Sequence, residues 1–216
     1  MQNLNNQIKI MKDNLELKNL KNIKSSKFKT ISTKDIKNEY SIIKEYNYYT
    51  KLTKRIKKYI NSKDEIIFET YEDNEGRIVG LFIKFDLNKM EIFMPIDIRV
   101  ITGNTKDTFM DCTYYNLEKE GKIYIKEFSS GKPRCGYGKL ILSNLDNIVK
   151  SINLKFDTYN HYSKDYKFNY ISKIEGVAIP TKTIISQKEL NKLYRRYGFI
   201  IDEKNNMSML KIIDNI

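Results

Sequence analysis

The sequence predicts an α/β domain built on a mixed sheet, and three observations carry that prediction. Apolar residues keep a helical period from about residue 36 to 61, and β-branched and aromatic runs broken by turn signals fill 65–101. A strand, a glycine-bearing loop and a helix then follow one another from 122 to 152. A chain of 216 residues suits one domain of generous size with an arm. Residues 1–26 are read as a basic amino-terminal arm or helix and 27–216 as the single domain.

The elements can be justified in order. In the arm, Leu4, Ile8, Met11 and Leu15 recur at spacings of four, three and four, a sparse stripe suited to the domain body or to a second copy. Lys27 to Ile31 is a short strand candidate. The segment STKDI (32–36) opens a helix, with Ser32 or Thr33 as cap and Asp35 in the first turn. Ile42, Ile43, Tyr46, Tyr49, Leu52, Ile56, Tyr59 and Ile60 continue it as one helix, or as two divided near Asn47. Turn signals DNEG (73–76) and DLNK (86–89) divide the next stretch into antiparallel strands. A polar break leads to the strand KIYIKEF (122–128), the loop SSGKPRCGYG and the helix GKLILSNLDNIVKSI. Ser186 to Glu189 has the form of a capping box opening a later helix.

Composition narrows the function classes. The net charge is +12, and it is concentrated: residues 1–62 hold 15 basic against 5 acidic side chains, and the remainder 24 against 22. Two cysteines, Cys112 and Cys135, cannot form a disulfide framework, and with His161 the only histidine no zinc-type cluster is expected. No long apolar window and no secretory signal are seen, so we expect a cytoplasmic protein without membrane attachment.

Gly136 and Gly138 pose the functional question. Paired glycines before a helix suit either a phosphate, which the bare backbone and helix N–H groups can approach, or a plain turn. A P-loop needs lysine where Tyr137 stands, and a dinucleotide fingerprint needs a third glycine where Ile141 stands. The strand-loop-helix context favours the phosphate.

Those residues resemble the GNAT acetyltransferase superfamily, over about residues 27–213. Pro133 to Gly138 is similar to the family's acetyl-CoA loop, Gln/Arg-x-x-Gly-x-Gly/Ala after a fourth strand, with Pro133 departing at the first position. LYRRYGFIIDEKNNMSMLK (193–211) is similar to the family's closing helix, Phe/Leu-Tyr-x-x-x-Gly-Phe, and its two final strands. FKTISTKDI (28–36) and NEGRIVGLFI (74–83) look like its opening strand and helix and its second strand.

The resemblance implies a GNAT-like sheet, an antiparallel meander followed by a parallel pair splayed at the cofactor loop, flanked by helices. It implies acetyl-CoA as co-substrate, an amine acceptor that attacks the thioester directly, and no metal. Backbone N–H groups of Arg134, Cys135, Gly136, Tyr137, Gly138 and Lys139 would cradle the pyrophosphate, and the N–H near Phe128 would polarise the thioester carbonyl. Tyr194 falls on the family's acid, although a tyrosine spaced with Leu190 and Leu193 also suits a core. Glu127, the carboxylate at the strand end, is the candidate base. The family's next strand falls on either NLKFDTY (153–159) or KIEGVAIP (173–180). Helices bordering the acceptor groove would carry Lys51, Lys54, Arg55 and Lys58 on one face near Tyr46, Tyr48 and Tyr49. That face suits an acidic partner such as RNA, or is simply solvated. The alternatives are a non-catalytic GNAT-like binding module and an RNA- or ribosome-directed acetyltransferase.

Overall fold

The computed structural model describes residues 33–60, 64–87, 93–104, 106–131, 135–164, 166–180, 185–202, 204–205 and 207–213. The arm expected over 1–26, the strand at 27–31, the cap at Ser32 and the Lys132-Pro133-Arg134 part of the glycine loop lie outside the described residues. The chain divides into two compact units, residues 1–61 with 102–105 and residues 62–101 with 106–216.

In the first unit, α1 (Thr33–Ile60) is one uninterrupted helix. It contains no proline or glycine, and Asn47 does not divide it. Tyr48, Leu52 and Ile56, four residues apart, are its buried stripe. Arg55 lies beside that stripe and donates through Nη1 to the backbone carbonyls of Thr102, at 2.8 Å, and Asn104. The face expected to hold Arg55 among its cations therefore loses it: this guanidinium ties the helix to the 102–104 segment.

The second unit is α/β. Its strands are β1 (Glu65–Glu72), β2 (Ile78–Phe85), β3 (Phe93–Ile101), β4 (Thr108–Asn116), β5 (Gly121–Ser129), β6 (Ile171–Val177), β7 (Ile200–Ile201) and β8 (Ser208–Ile212), and its helices are α2 (Tyr137–Ser143), α3 (Leu145–Tyr162) and α4 (Gln187–Arg196). The eight described strands form one mixed sheet in the order β1-β2-β3-β4-β5-β6-β8-β7. The meander β1 to β5 is antiparallel, β5 and β6 pair in parallel, and β6-β8-β7 is antiparallel again.

Three readings of the sequence are corrected. The polar break before residue 122 contains β4, so the glycine loop follows the fifth described strand rather than a fourth. NLKFDTY is helical, part of α3, which leaves KIEGVAIP for β6. Helix GKLILSNLDNIVKSI is broken at Asn144, and its second half runs on to Tyr162.

Residue spacing explains the packing. Leu145, Ile148, Val149, Ile152 and Phe156 form the buried stripe of α3. They meet Leu81, Ile83, Met94, Ile96, Ile98, Met110, Tyr114 and Ile123, which alternate along their strands and face the same core. Asn153, in the same stripe, is satisfied by both backbone groups of Ile171, at 2.9 and 3.2 Å, and so stitches α3 to the start of β6. Asn160 does the same for Phe168, at 2.8 Å on each side, and Phe168 stacks on Phe156 with ring centroids 4.7 Å apart.

One tether fixes the start of α2. The β1–β2 turn carries Asp73, whose side chain is 2% exposed. Its Oδ2 accepts from the Tyr137 hydroxyl at 2.9 Å and from Arg77 Nη2 at 2.7 Å, and its Oδ1 accepts the N–H groups of Glu75 and Arg77. Burial alone would raise this carboxyl, but the bonds from Arg77, Tyr137 and Glu75 hold it below the usual range.

Replacing Asp73 with Asn should cost about 1–3 kcal/mol, because Arg77 and Tyr137 lose a charged acceptor. A carboxyl depressed by folding stabilises the native state above its unfolded pKa, near 4, and that contribution is lost as pH falls through the lower native pKa. Urea titrations between pH 2 and 7 should therefore show a steeper acid loss in the native protein than in Asp73→Asn. Parallel curves would show that Asp73 is not coupled to folding.

Candidate functional site

The site is organised where the parallel pair comes apart. Pairing of β5 with β6 runs from Gly121↔Ile171 to Ile125↔Gly176. Beyond it β5 continues to Ser129 alongside β4 alone, so residues 126–129 have no β6 partner. At the same point Lys126 is an extra residue: Ile125 pairs with Cys112 and Glu127 with the adjacent Asp111. Such a bulge bends a strand and re-aims the side chains after it.

After the bulge, Glu127 and Phe128 face opposite sides of the sheet. Glu127 shares the face of its cross-strand partner Asp111 and is exposed. Asp111 in turn pairs with Asp97, so three carboxylates lie across β3, β4 and β5. Arg99 Nε lies 2.7 Å from both Asp97 oxygens, its Nη2 is 3.8 Å from Asp111, and its guanidinium stands 5.3 Å from the Phe109 ring centroid. Burial, offset by Arg99, raises the Asp97 carboxyl. Phe128 pairs with Met110 and packs against the helix-covered core.

The end of the glycine loop leads into α2 beside Phe128. Gly136 has φ of +81°, the left-handed conformation that a side chain strains. It turns the chain into α2, whose first bond is from Leu140 N–H to Gly136 O at 2.9 Å. The preceding first-turn positions, Tyr137, Gly138 and Lys139, have no carbonyl one turn earlier in the helix to bond to. Gly138 has an ordinary conformation, and a Cβ there would meet the Phe128 ring at 3.4 Å, normal contact. Only the first glycine is demanded by backbone geometry.

The structure separates the predicted residues into groups. Cys135 and Gly136 end the loop, and Gly138 and Lys139 stand in the first turn of α2, with Gly138 against the Phe128 ring, whereas the Tyr137 side chain is buried and committed to Asp73. Tyr194 is 5% exposed, edge-on to Phe199 with centroids 5.3 Å apart. It belongs to the core cluster with Ile125 and Ala178, residues at the parting of β5 and β6. Burial pushes its phenol up to about 12, and among the described residues nothing hydrogen-bonds its hydroxyl. Lys211 Nζ reaches both Tyr197 O, at 2.9 Å, and Asp146, at 3.2 Å, so the end of α4 lies beside the start of α3. Tyr194 thus comes from the helix-covered side and Glu127 from the other. The capping box at Ser186 and Glu189 is formed and opens α4.

Sequence reasoning missed the β1–β2 turn as a neighbour of the loop. Besides the Asp73 tether, the Asn74 amide stands 3.2 Å from where a Gly136 Cβ would be. DNEG signalled a turn, and nothing local to it says which distant loop it meets. Among the described residues no cluster of metal-ligating side chains is present. Comparison with protein-family models, with curated proteins and with solved structures finds no match.

Proposed function

We propose that the protein is an acetyl-CoA-dependent N-acetyltransferase acting on an amine. The observation that carries this reading is the parting of β5 and β6 after Ile125 and Gly176, directly before a loop turned by a left-handed glycine. A strand edge left unpaired beside that loop offers an extended ligand both backbone hydrogen bonds and an anion cradle.

Each chain residue then has a task. The loop N–H groups around Gly136, Gly138 and Lys139 take the pyrophosphate. The N–H of Phe128, on the unpaired stretch of β5, polarises the thioester carbonyl. Glu127, exposed on the other face of the sheet, takes a proton from the attacking amine directly or through water. The C–N bond forms as the C–S bond breaks, and the departing thiolate takes the Tyr194 proton. A phenol near 12 stays protonated at neutral pH, and with no protein acceptor its O–H is available to donate.

Acetyl-CoA at about a hundred times its dissociation constant should add about 2.7 kcal/mol to the stability of the native chain, and nothing to Gly138→Asp, which has room for its Cβ but sets a carboxylate in the cradle. Equal responses, or none, would remove the loop from the binding site. Cys135 supplies an independent readout: acetyl-CoA should slow its alkylation, while the buried Cys112, whose thiol is pushed up by burial, stays silent in both states.

Tyr194→Phe should lower kcat by about 10²–10⁴ with little change in KM for acetyl-CoA, measured by mass spectrometry of amine pools given labelled acetyl-CoA. A variant that binds acetyl-CoA normally and transfers at the native rate would return Tyr194 to the core. Native protein that binds acetyl-CoA and labels no amine would instead support a binding module.

A further inference from the structure

Acetyl transfer leaves α1 unused, and its charge distribution is one-sided. From Tyr46 to Ile60 the helix holds Lys51, Lys54, Arg55, Lys57 and Lys58 and no acidic residue. Arg55 is committed to the Thr102 and Asn104 carbonyls. The four lysines are exposed, as is Lys44 one heptad before Lys51, and none has an ion-pair partner among the described residues. Lys44, Lys51 and Lys58, seven residues apart, lie nearly in line, with Lys54 beside them. At 1.5 Å per residue, Lys51, Lys54 and Lys58 follow one another by about 4.5 and 6 Å along the axis.

We infer that this ridge binds the phosphates of a single-stranded nucleic acid, independently of the acetyl-transfer reading. A line of unpaired cations a few ångströms apart matches a polymer whose charges recur every ~3.4 Å of rise, or more widely when a single strand is extended. A lipid surface fits less well, because the apolar groups an interfacial helix would insert, Tyr48, Leu52 and Ile56, are buried. An acidic protein fits less well too, because the lysine ridge offers no pocket or buried anchor of the kind that carries protein interfaces.

The test is fluorescence anisotropy of labelled poly(U) and oligo(dT) with the full chain across a salt series. Four to five phosphate contacts predict that log affinity falls against log salt with a slope of about −3. Lys44→Gln/Lys51→Gln/Lys54→Gln removes three contacts while leaving Lys57 and Lys58 to the last turn of the helix, and should reduce that slope by about 2. Restoring the charge as arginine at the three positions should restore the slope, which a merely structural role would not require. Native binding without salt dependence, a glutamine variant that keeps the native slope with circular dichroism unchanged, or polyglutamate bound as tightly as poly(U) would each overturn the inference.

Discussion

Parallel pairing of β5 with β6 is the constraint on which the rest of the second unit depends. An antiparallel partner could have been supplied by a short turn, as the four-residue connection 117–120 supplies β5 to β4. A parallel partner requires the chain to leave one end of β5 and return to the opposite end of β6, and Ser130 to Tyr170 is that crossover. The crossover supplies the glycine loop, α2 and α3, and hence the side chains that cover one face of the sheet. Because α2 and α3 must lie on that face, the inward residues of β2 to β5 are apolar, and the loop is brought against Phe128 at the strand end. Asn153 and Asn160 then fasten the return by bonding the backbone at Ile171 and Phe168, groups that would otherwise be partly buried without partners.

The two faces are consequently different chemically. The helix-covered face is almost wholly apolar, and burial there pushes the Tyr194 phenol up to about 12. The other carries Lys84, Asp97, Asp111 and Glu127 at successive register positions across β2 to β5, with Arg99 set between the first two carboxylates. Like charges on neighbouring strands repel, so one guanidinium shared by Asp97 and Asp111 is the economical solution, and it leaves Glu127 at the end of the row without the same cation. Glu127 and Tyr194 stand on opposite faces of that sheet, one exposed and one in the core.

How much of this could be read from the sequence follows from where the determining contacts lie. The meander was legible because FMPIDIRVI alternates and its turns are marked. β4 was not, because TFMDCTYYN buries Met110, Cys112 and Tyr114 on one face while Asp111 and Thr113 on the other read as a polar break. NLKFDTY alternates for a few residues, which resembles a strand, yet Ile148, Val149, Ile152 and Phe156 sit at helical spacing and decide the outcome over a longer window. At the site, strand, loop and helix were legible as local order. The burial of Tyr137 and the diversion of Arg55 were not, since each depends on a partner at least 47 residues away, Asp73 for one and the 102–104 carbonyls for the other.

The Asp73 tether shows why such distant partners matter to a loop of this kind. A left-handed glycine permits the turn at Gly136 but does not by itself choose it, since glycine pays more conformational entropy than any other residue to be fixed. Something outside the loop must therefore hold it. Tyr137 provides the handle: its ring is packed in the core and its hydroxyl is bonded to a carboxylate that is 2% exposed and itself held by Arg77 and two backbone N–H groups. The residue following the left-handed glycine is thus held at both its ring and its hydroxyl, and the freedom of Gly136 is limited from that side. The side chain of Tyr137 is committed to holding the turn, and only its backbone is left for any other contact.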